Sequence, residues 1–163
     1  MRSVPYPVQP LFISHLLILV QDFLTKTRDR LASPMASLIS DPAPQYRVRP
    51  ARGNEIGELQ NIDLASATLF RGTGLIDFGP LGEPTQPIPE DRLRRGFGDG
   101  LIWVAVDGME EIVGFALCSD RGPDLYLDQL SVLPRHGRQG LGTRLVRRCL
   151  QEAEARSFKR VSL

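Results

Sequence analysis

The residues with the clearest chemical pattern are Pro134-Arg135-His136-Gly137-Arg138-Gln139-Gly140-Leu141-Gly142-Thr143. They follow a strand-like run and open an amphipathic helical pattern, so unpaired backbone N–H groups and the positive end of a helix dipole converge on one turn. That arrangement suits a phosphate or pyrophosphate. Glycine lets the backbone approach the anion closely and permits positive φ. The spacing is G-x-x-G-x-G, not the G-x-G-x-x-G of a dinucleotide fingerprint, and the Lys-Ser/Thr pair of a nucleotide phosphate loop is missing. Between Pro134 and Leu163 eight basic residues face two acidic ones, Glu152 and Glu154, although the whole chain carries a formal net charge of only +1. Much of that excess suits the solvated face of a helix; Arg135 and Arg138, within the turn, are the better anion ligands.

The elements that must hold this turn can be read around it. Tyr46 to Pro50 alternates like a short strand closed by proline. Asn54 is placed to cap a helix carrying Ile56, Leu59, Ile62, Leu64 and Leu69. Glycine and proline from Arg71 to Pro87 predict a surface loop, and Pro89 to Arg95 a short helix whose first turn carries Glu90 and Asp91. Leu101 to Val106 and Ile112 to Cys118 predict a hairpin turning at Asp107-Gly108, followed by a third strand over Leu125 to Leu133. The spacing then predicts a helix from Thr143 to Arg156 with Leu145, Val146, Cys149, Leu150 and Ala153 on its apolar face and Arg144, Arg147, Arg148, Gln151, Glu152 and Glu154 in water. A further strand begins at Phe158.

Composition bounds the rest. At 163 residues the chain suits one domain with its own core. The near-neutral charge gives no overall signature of a nucleic-acid or anionic-membrane partner. Two cysteines, Cys118 and Cys149, form neither a disulfide framework nor a metal-ligand spacing, so no metal is expected and a reducing, cytoplasmic compartment is the simpler reading. Residues 1–45 read as an extension separated from a domain at 46–163 by Ser40-Asp41-Pro42-Ala43-Pro44. Its apolar run Leu11 to Val20 is ten residues long, short of the about 20 needed to cross a bilayer. It has the length of a signal-peptide core, roughly 7 to 15 residues. The proline-rich, nearly uncharged leader equally suits a marginal helix, a disordered extension, or upstream sequence joined to the gene ahead of Met35. No firm membrane association follows.

The run from Leu125 to Leu163 resembles the acetyl-CoA-binding core of the GNAT superfamily of acyl-CoA N-acyltransferases, whose pattern is a strand, V-x-P, then [Q/R]-x-x-G-x-[G/A] and a helix. Val132, Pro134, Gly140, Leu141 and Gly142 fall on its signature positions; Gly137 stands where Gln or Arg is usual, with Arg138 and Gln139 just after it. The likeness covers about Tyr46 to Leu163. It implies an α/β (α+β) fold with a mixed, mostly antiparallel central sheet flanked by helices. The family's later helix and strands, which commonly supply a tyrosine acid, have no counterpart after Phe158, so the C-terminal half reads as incomplete and the chain as truncated.

The resemblance further implies acetyl-CoA as cosubstrate, its pantetheine arm pairing with backbone near Leu130, Ser131 and Val132, and its pyrophosphate meeting Arg138, Gln139, Gly140, Leu141, Gly142 and Thr143, with Arg135 nearby. A backbone N–H of Leu130 or Val132 would polarise the thioester carbonyl, and an amine would attack directly in a ternary complex. Strand alternation puts Tyr126 and Asp128 on one face, and the resemblance implies that a bulge, common in this strand of the family, could re-aim either. Asp128 is the first choice of base, the competing reading being a hydrogen-bonded strand carboxylate; Tyr126 suits packing better than catalysis. His136 reads as a loop residue, Cys118 and Cys149 as core, and Trp103 and Phe115 as hairpin packing. The implied function is N-acetylation of a small-molecule or peptide amine, the alternative a non-catalytic fragment that retains acyl-CoA affinity or acts as an interaction module. The acceptor is left unidentified, and a homodimer is left open.

Overall fold

The computed structural model describes residues 46–71, 73 and 86–163; the expectations for residues 1–45 and for most of the loop from Arg71 to Pro87 lie outside the described residues. Five strands form one sheet in chain order: β1 (Arg47–Pro50), β2 (Ile102–Val106), β3 (Ile112–Arg121), β4 (Asp124–Val132) and β5 (Arg160–Ser162). All pairings are antiparallel except β4 with β5, which is parallel. The helices are α1 (Ile56–Ala67), α2 (Glu90–Gly98) and α3 (Leu141–Ala155). The mixed, mostly antiparallel sheet flanked by helices is the expected one. Among the described residues no helix is long and apolar enough to cross a membrane.

Helix α1 starts one residue later than a cap at Asn54 implies. Asn54 lies inside a 3-10 turn, Gly53–Glu55, and Glu55 does the capping, its Oε2 accepting from the Arg52 N–H at 2.7 Å. The buried stripe of α1 runs through Ile56, Leu59, Ile62, Asp63, Ser66 and Ala67. Leu64 is only half-buried and Leu69 is exposed. At 100° per residue the core-facing phase passes through 56, 59, 63 and 66, so Asp63 and Ser66 fall on it, Leu64 lies beside it, and Leu69 lies past the helix in a 3-10 turn, Thr68–Phe70.

Helix α2 extends three residues past Arg95. Gly100, at φ 68°, donates its N–H to Phe97 O and Leu101 donates to Gly96 O, closing the helix with the paired bonds of a Schellman end. Glu90 and Asp91 accept from Arg94 and Arg95 one turn on, so the helix terminus explains both acidic residues. The hairpin between β2 and β3 forms as expected, with a longer turn. Asp107 Oδ1 accepts from Met109 N–H and Glu111 N–H, and Glu110, not Gly108, holds the positive φ of 65°.

Helices α1 and α2 cover one face of the sheet and α3 the other. A Cβ on Gly96 of α2 would lie 2.2 Å from Leu117 Cδ1, whereas the next residue along β3, Cys118, meets Cys149 of α3. Trp103, Phe115 and both cysteines are buried in the core, in line with their reading as packing residues. On α3 Leu141 joins the buried stripe and Leu150 is 43% exposed. Glu152, expected in water, is held instead in a ladder: it accepts from Arg148 at 2.7 Å and Arg156 at 2.6 Å. Burial raises the Glu152 pKa, but the Arg156 and Arg148 hydrogen bonds outweigh it and hold the carboxyl below its ordinary range.

Candidate active site

Strand β4 is buried at every second residue, Leu125, Leu127, Gln129 and Ser131, as if one face were continuous. It is not. Leu117 pairs with Gln129 and Cys118 with Leu127, which leaves Asp128 as an extra residue on β4. This is a β-bulge, and it re-aims the strand. Leu125 and Leu127 lie on the α3 face with Cys118, whereas Gln129 and Ser131 lie on the α1 face with Leu117 and Phe115. Past the bulge, Leu130 faces α3: its Cδ2 would sit 3.8 Å from a Cβ on Gly142.

The bulge also fixes which backbone groups reach the free edge. Leu133 N–H donates to Val113 O across β3 at 2.9 Å. Antiparallel alternation turns Ser131 N–H the same way and sends the N–H groups of Leu130 and Val132 to the opposite edge. Strand β5 pairs with β4 only over Asp124–Tyr126, so among the described residues no strand covers Leu130 and Val132 on that edge. The two N–H groups the sequence singled out are thus the two that point outward.

A 3-10 turn, Pro134–His136, leads from this edge to the glycine turn. Arg138 at φ 62° and Gly140 at φ 73° are both left-handed, and Gly140 precedes the first residue of α3. Left-handed residues in such a turn point successive N–H groups into one concavity. The first helical bond runs from Arg144 N–H to Gly140 O at 3.1 Å, so the N–H groups of Leu141, Gly142 and Thr143 have no acceptor within the helix. Arg138, Gln139, Gly140, Leu141, Gly142 and Thr143 therefore form a dipole-assisted turn with the geometry to cradle an anion beside the open edge of β4.

Two residues expected at the cofactor have their side chains engaged elsewhere. Ser131 is 1% exposed with its hydroxyl on the α1 face; burial behind the sheet leaves only its backbone beside the cradle strand. Arg135 donates from Nε to His136 Nε2 at 3.0 Å, and its Nη2 lies 3.9 Å from Glu111 Oε2 at the β2–β3 turn. His136 has its other ring nitrogen 2.9 Å from Tyr46 Oη. Nδ1–H donating to Tyr46 while Nε2 accepts from Arg135 satisfies both contacts with one neutral tautomer.

Asp128 and Tyr126 share a face, as alternation predicted. Asp128 Oδ1 accepts from Arg92 Nη2 of α2 at 2.9 Å and from Arg121 Nη2 of β3 at 3.1 Å. Its side chain is 6% exposed, those of the two arginines 43% and 42%. The Arg121 guanidinium lies over the Tyr126 ring at 3.6 Å, so Tyr126 serves as its stacking surface.

The sequence reading missed a buried polar network behind β4. Asp63 Oδ1 accepts from Gln129 Nε2 at 2.6 Å and Ser131 Oγ at 3.0 Å, and Oδ2 accepts from Ile88 N–H at 2.8 Å. Gln129 also donates to Ser131 Oγ at 3.0 Å. Desolvation dominates and pushes the Asp63 carboxyl above its ordinary range, against the pull of those donors and of the Arg92 charge. The network ties α1, the entry to α2 and both residues flanking Leu130 into one unit. The available signal was phase: Asp63 and Ser66 fall on the buried stripe of α1.

Residues 70–163 match the acetyltransferase (GNAT) family. The chain belongs to the GNAT family. Solved structures with a similar fold include the ribosomal-protein-S18-alanine N-acetyltransferase of Escherichia coli, at 16% identity and a TM-score of 0.53 over 70% of this chain and 63% of that one. A GNAT-family acetyltransferase of Staphylococcus aureus Mu50 matches at 13% identity and 0.54, covering 69% of each chain. A GNAT-family acetyltransferase of Brucella melitensis solved with acetyl-CoA matches at 15% and 0.51, covering 69% of this chain and 71% of that one. At such identities the likeness is one of fold. The GNAT chain described here spans under two thirds of the length of the Escherichia coli structure.

Proposed function

We propose that the protein transfers an acetyl group from acetyl-CoA to an amine. The observation that carries this reading is the conjunction of an anion cradle at the start of α3 with outward-facing N–H groups of Leu130 and Val132 on the adjoining strand edge. In this reading Arg138 to Thr143 hold the pyrophosphate through backbone N–H groups, with the Arg138 side chain adding charge. The β4 edge pairs with the pantetheine amides, and the N–H of Leu130 or Val132 donates to the thioester oxygen as charge builds on it. Arg135 and the Ser131 side chain take no part.

The amine nitrogen forms a bond to the carbonyl carbon, the C–S bond breaks, and the thiolate leaves with its electron pair to be protonated from solvent. The proton shed by the amine goes to Asp128, directly or through a water. Both guanidinium bonds to Asp128 fall on Oδ1, and Oδ2 is the oxygen outside those bonds. The test is CoA release from acetyl-CoA with a panel of amines, comparing the wild-type chain with Asp128→Ala and with buffer. We expect amine-dependent release and a loss of about 100-fold or more in kcat for the variant, the usual scale of general-base removal. Binding of acetyl-CoA without turnover would refute the transferase reading, and a fully active Asp128→Ala variant would refute the base.

A further inference from the structure

We infer that Arg92 and Arg121 form a clamp for a carboxylate carried by the acceptor, so that the acceptor is an aminocarboxylate: a free amino acid or a peptide with an acidic residue close to its amine. The inference rests on the transferase reading above and names the class of amine that it would accept.

Two guanidiniums converge on one oxygen of one carboxylate, leaving a positive charge in excess. The carboxylate keeps 6% of its side-chain surface exposed, while the arginines keep more than two fifths of theirs in solvent. What a ligand meets on this face is therefore guanidinium. Each carries five N–H donors, and Arg92 uses one on Asp128. Arg121 uses one on Asp128, while its Nε contact to Ser119 Oγ, at 3.5 Å, is too long to hold it firmly. Arg121 is held by stacking on Tyr126, so its planar fork is oriented before a ligand arrives, the geometry that favours bidentate recognition of a carboxylate.

Position gives the clamp its meaning. Asp128 precedes Leu130 by two residues, about 7 Å along a strand, and Leu130 presents one of the two outward N–H groups proposed to hold the thioester oxygen. An amine reacting there would have its nearby substituents within reach of the arginines. An amine is cationic until it loses its proton. Two exposed guanidiniums repel such a cation unless the molecule brings its own anion. The surrounding charges do not reverse this, because Arg94 and Arg95 are matched by Glu90 and Asp91, Asp124, across the strand pair from Arg121, is matched by Arg160, and Asp63 lies buried among its own donors.

The experiment is calorimetric binding to the full chain, with CoA present, of product-like pairs that differ only in the carboxylate. N-acetyl-β-alanine is compared with N-acetylethylamine, and an N-acetylated tripeptide amide with glutamate at its second position is compared with its glutamine counterpart. We expect the carboxylate member of at least one pair to bind about tenfold or more tightly, the scale of one charge-assisted hydrogen bond, and that pair identifies a free amino acid or a peptide as the source. Arg92→Gln and Arg121→Gln should each abolish most of the preference, Arg121→Lys should retain only part of it, and Arg94→Gln, on the same helix, should leave it intact. CoA affinity, read in the same variants, separates loss of the clamp from loss of fold. Equal binding within both pairs, failure of both carboxylate ligands to bind, or a preference that survives in folded Arg92→Gln and Arg121→Gln would overturn the clamp. Turnover with both amines and no carboxylate preference sinks the clamp alone; a carboxylate preference without turnover sinks the transferase reading and leaves the clamp standing.

Discussion

Replacing Asp63 gives the sharpest test of how the site is held. In Asp63→Ala three donors lose their acceptor: Ile88 N–H, Gln129 Nε2 and Ser131 Oγ. Gln129 can keep its bond to Ser131 Oγ, so two groups are left without any partner in a region that is 7% to 9% exposed at Asp63 and Gln129. At about 1–3 kcal/mol per stranded donor, less the relief of no longer burying a carboxylate, the expected loss is about 3 kcal/mol. Asp63→Asn behaves differently. Its Oδ1 can face Ile88 N–H while its amide donates to Ser131 Oγ and to the Gln129 carbonyl after that amide turns over, so Ile88 N–H keeps its acceptor, the Ser131 hydroxyl can donate to the Gln129 carbonyl, and the cost stays below that of alanine, at about 1 kcal/mol.

The two substitutions also separate by pH. Burial raises the native Asp63 pKa above the unfolded value near 3.8, so between the two values the native state binds more protons than the unfolded state. Stability contributed by this group must then fall as pH rises through that window and stay low above it. Asparagine does not titrate, so the stability of Asp63→Asn relative to wild type should increase with pH across the window and level off above it. Urea unfolding at a series of pH values measures both effects. An Asp63→Ala variant within 1 kcal/mol of wild type, an asparagine variant as unstable as the alanine one, or a relative stability that falls with pH would refute the network as described.

Gly96→Ala places a Cβ 2.2 Å from Leu117 Cδ1 and 3.1 Å from Ile102 Cγ1, both buried, and should cost about 1–3 kcal/mol by overpacking, seen as a lowered Tm. Gly140→Ala meets no atom within 4 Å but must adopt φ +73°; we expect a loss of about 1–2 kcal/mol from strain alone and a weakened acetyl-CoA affinity, measured by calorimetry. Glu152 is held below its ordinary pKa by Arg156 and Arg148, so its contribution is present above the unfolded value of 4.5 and disappears as pH falls through the native one. Glu152→Gln should therefore destabilise by about 1 kcal/mol at neutral pH and by nothing measurable in strong acid, read from denaturant midpoints. Bonding to Cys149 and burial both push the Cys118 thiol pKa upward, so iodoacetamide should label Cys118 and Cys149 at the rate of global unfolding, and fast labelling of the native chain would contradict their burial.

The difference between what was legible in the sequence and what was not has a physical origin in how far apart the interacting residues lie. The glycine turn was readable because its chemistry is local: Gly140, Gly142 and the start of α3 lie within one stretch of chain, and a strand must feed them. The outward N–H groups of Leu130 and Val132 were named from resemblance, and the Leu133 bond to Val113 supplies the reason that alternation alone leaves open. The bulge at Asp128 has no glycine or proline to announce it, and only the family resemblance raises it; it exists because β3 and β4 change register between Cys118 and Leu117, a property of two strands together. That one inserted residue has three consequences at once. It turns Ser131 toward Asp63 instead of the cofactor edge, gives Gln129 a buried partner 66 residues away in sequence, and sets Asp128 under arginines from α2 and β3. The carboxylate that pattern reading offers either as a base or as a hydrogen-bonded strand group is thus in contact with two cations, and any chemistry it performs must proceed with both arginines attached or with a ligand anion drawing them off.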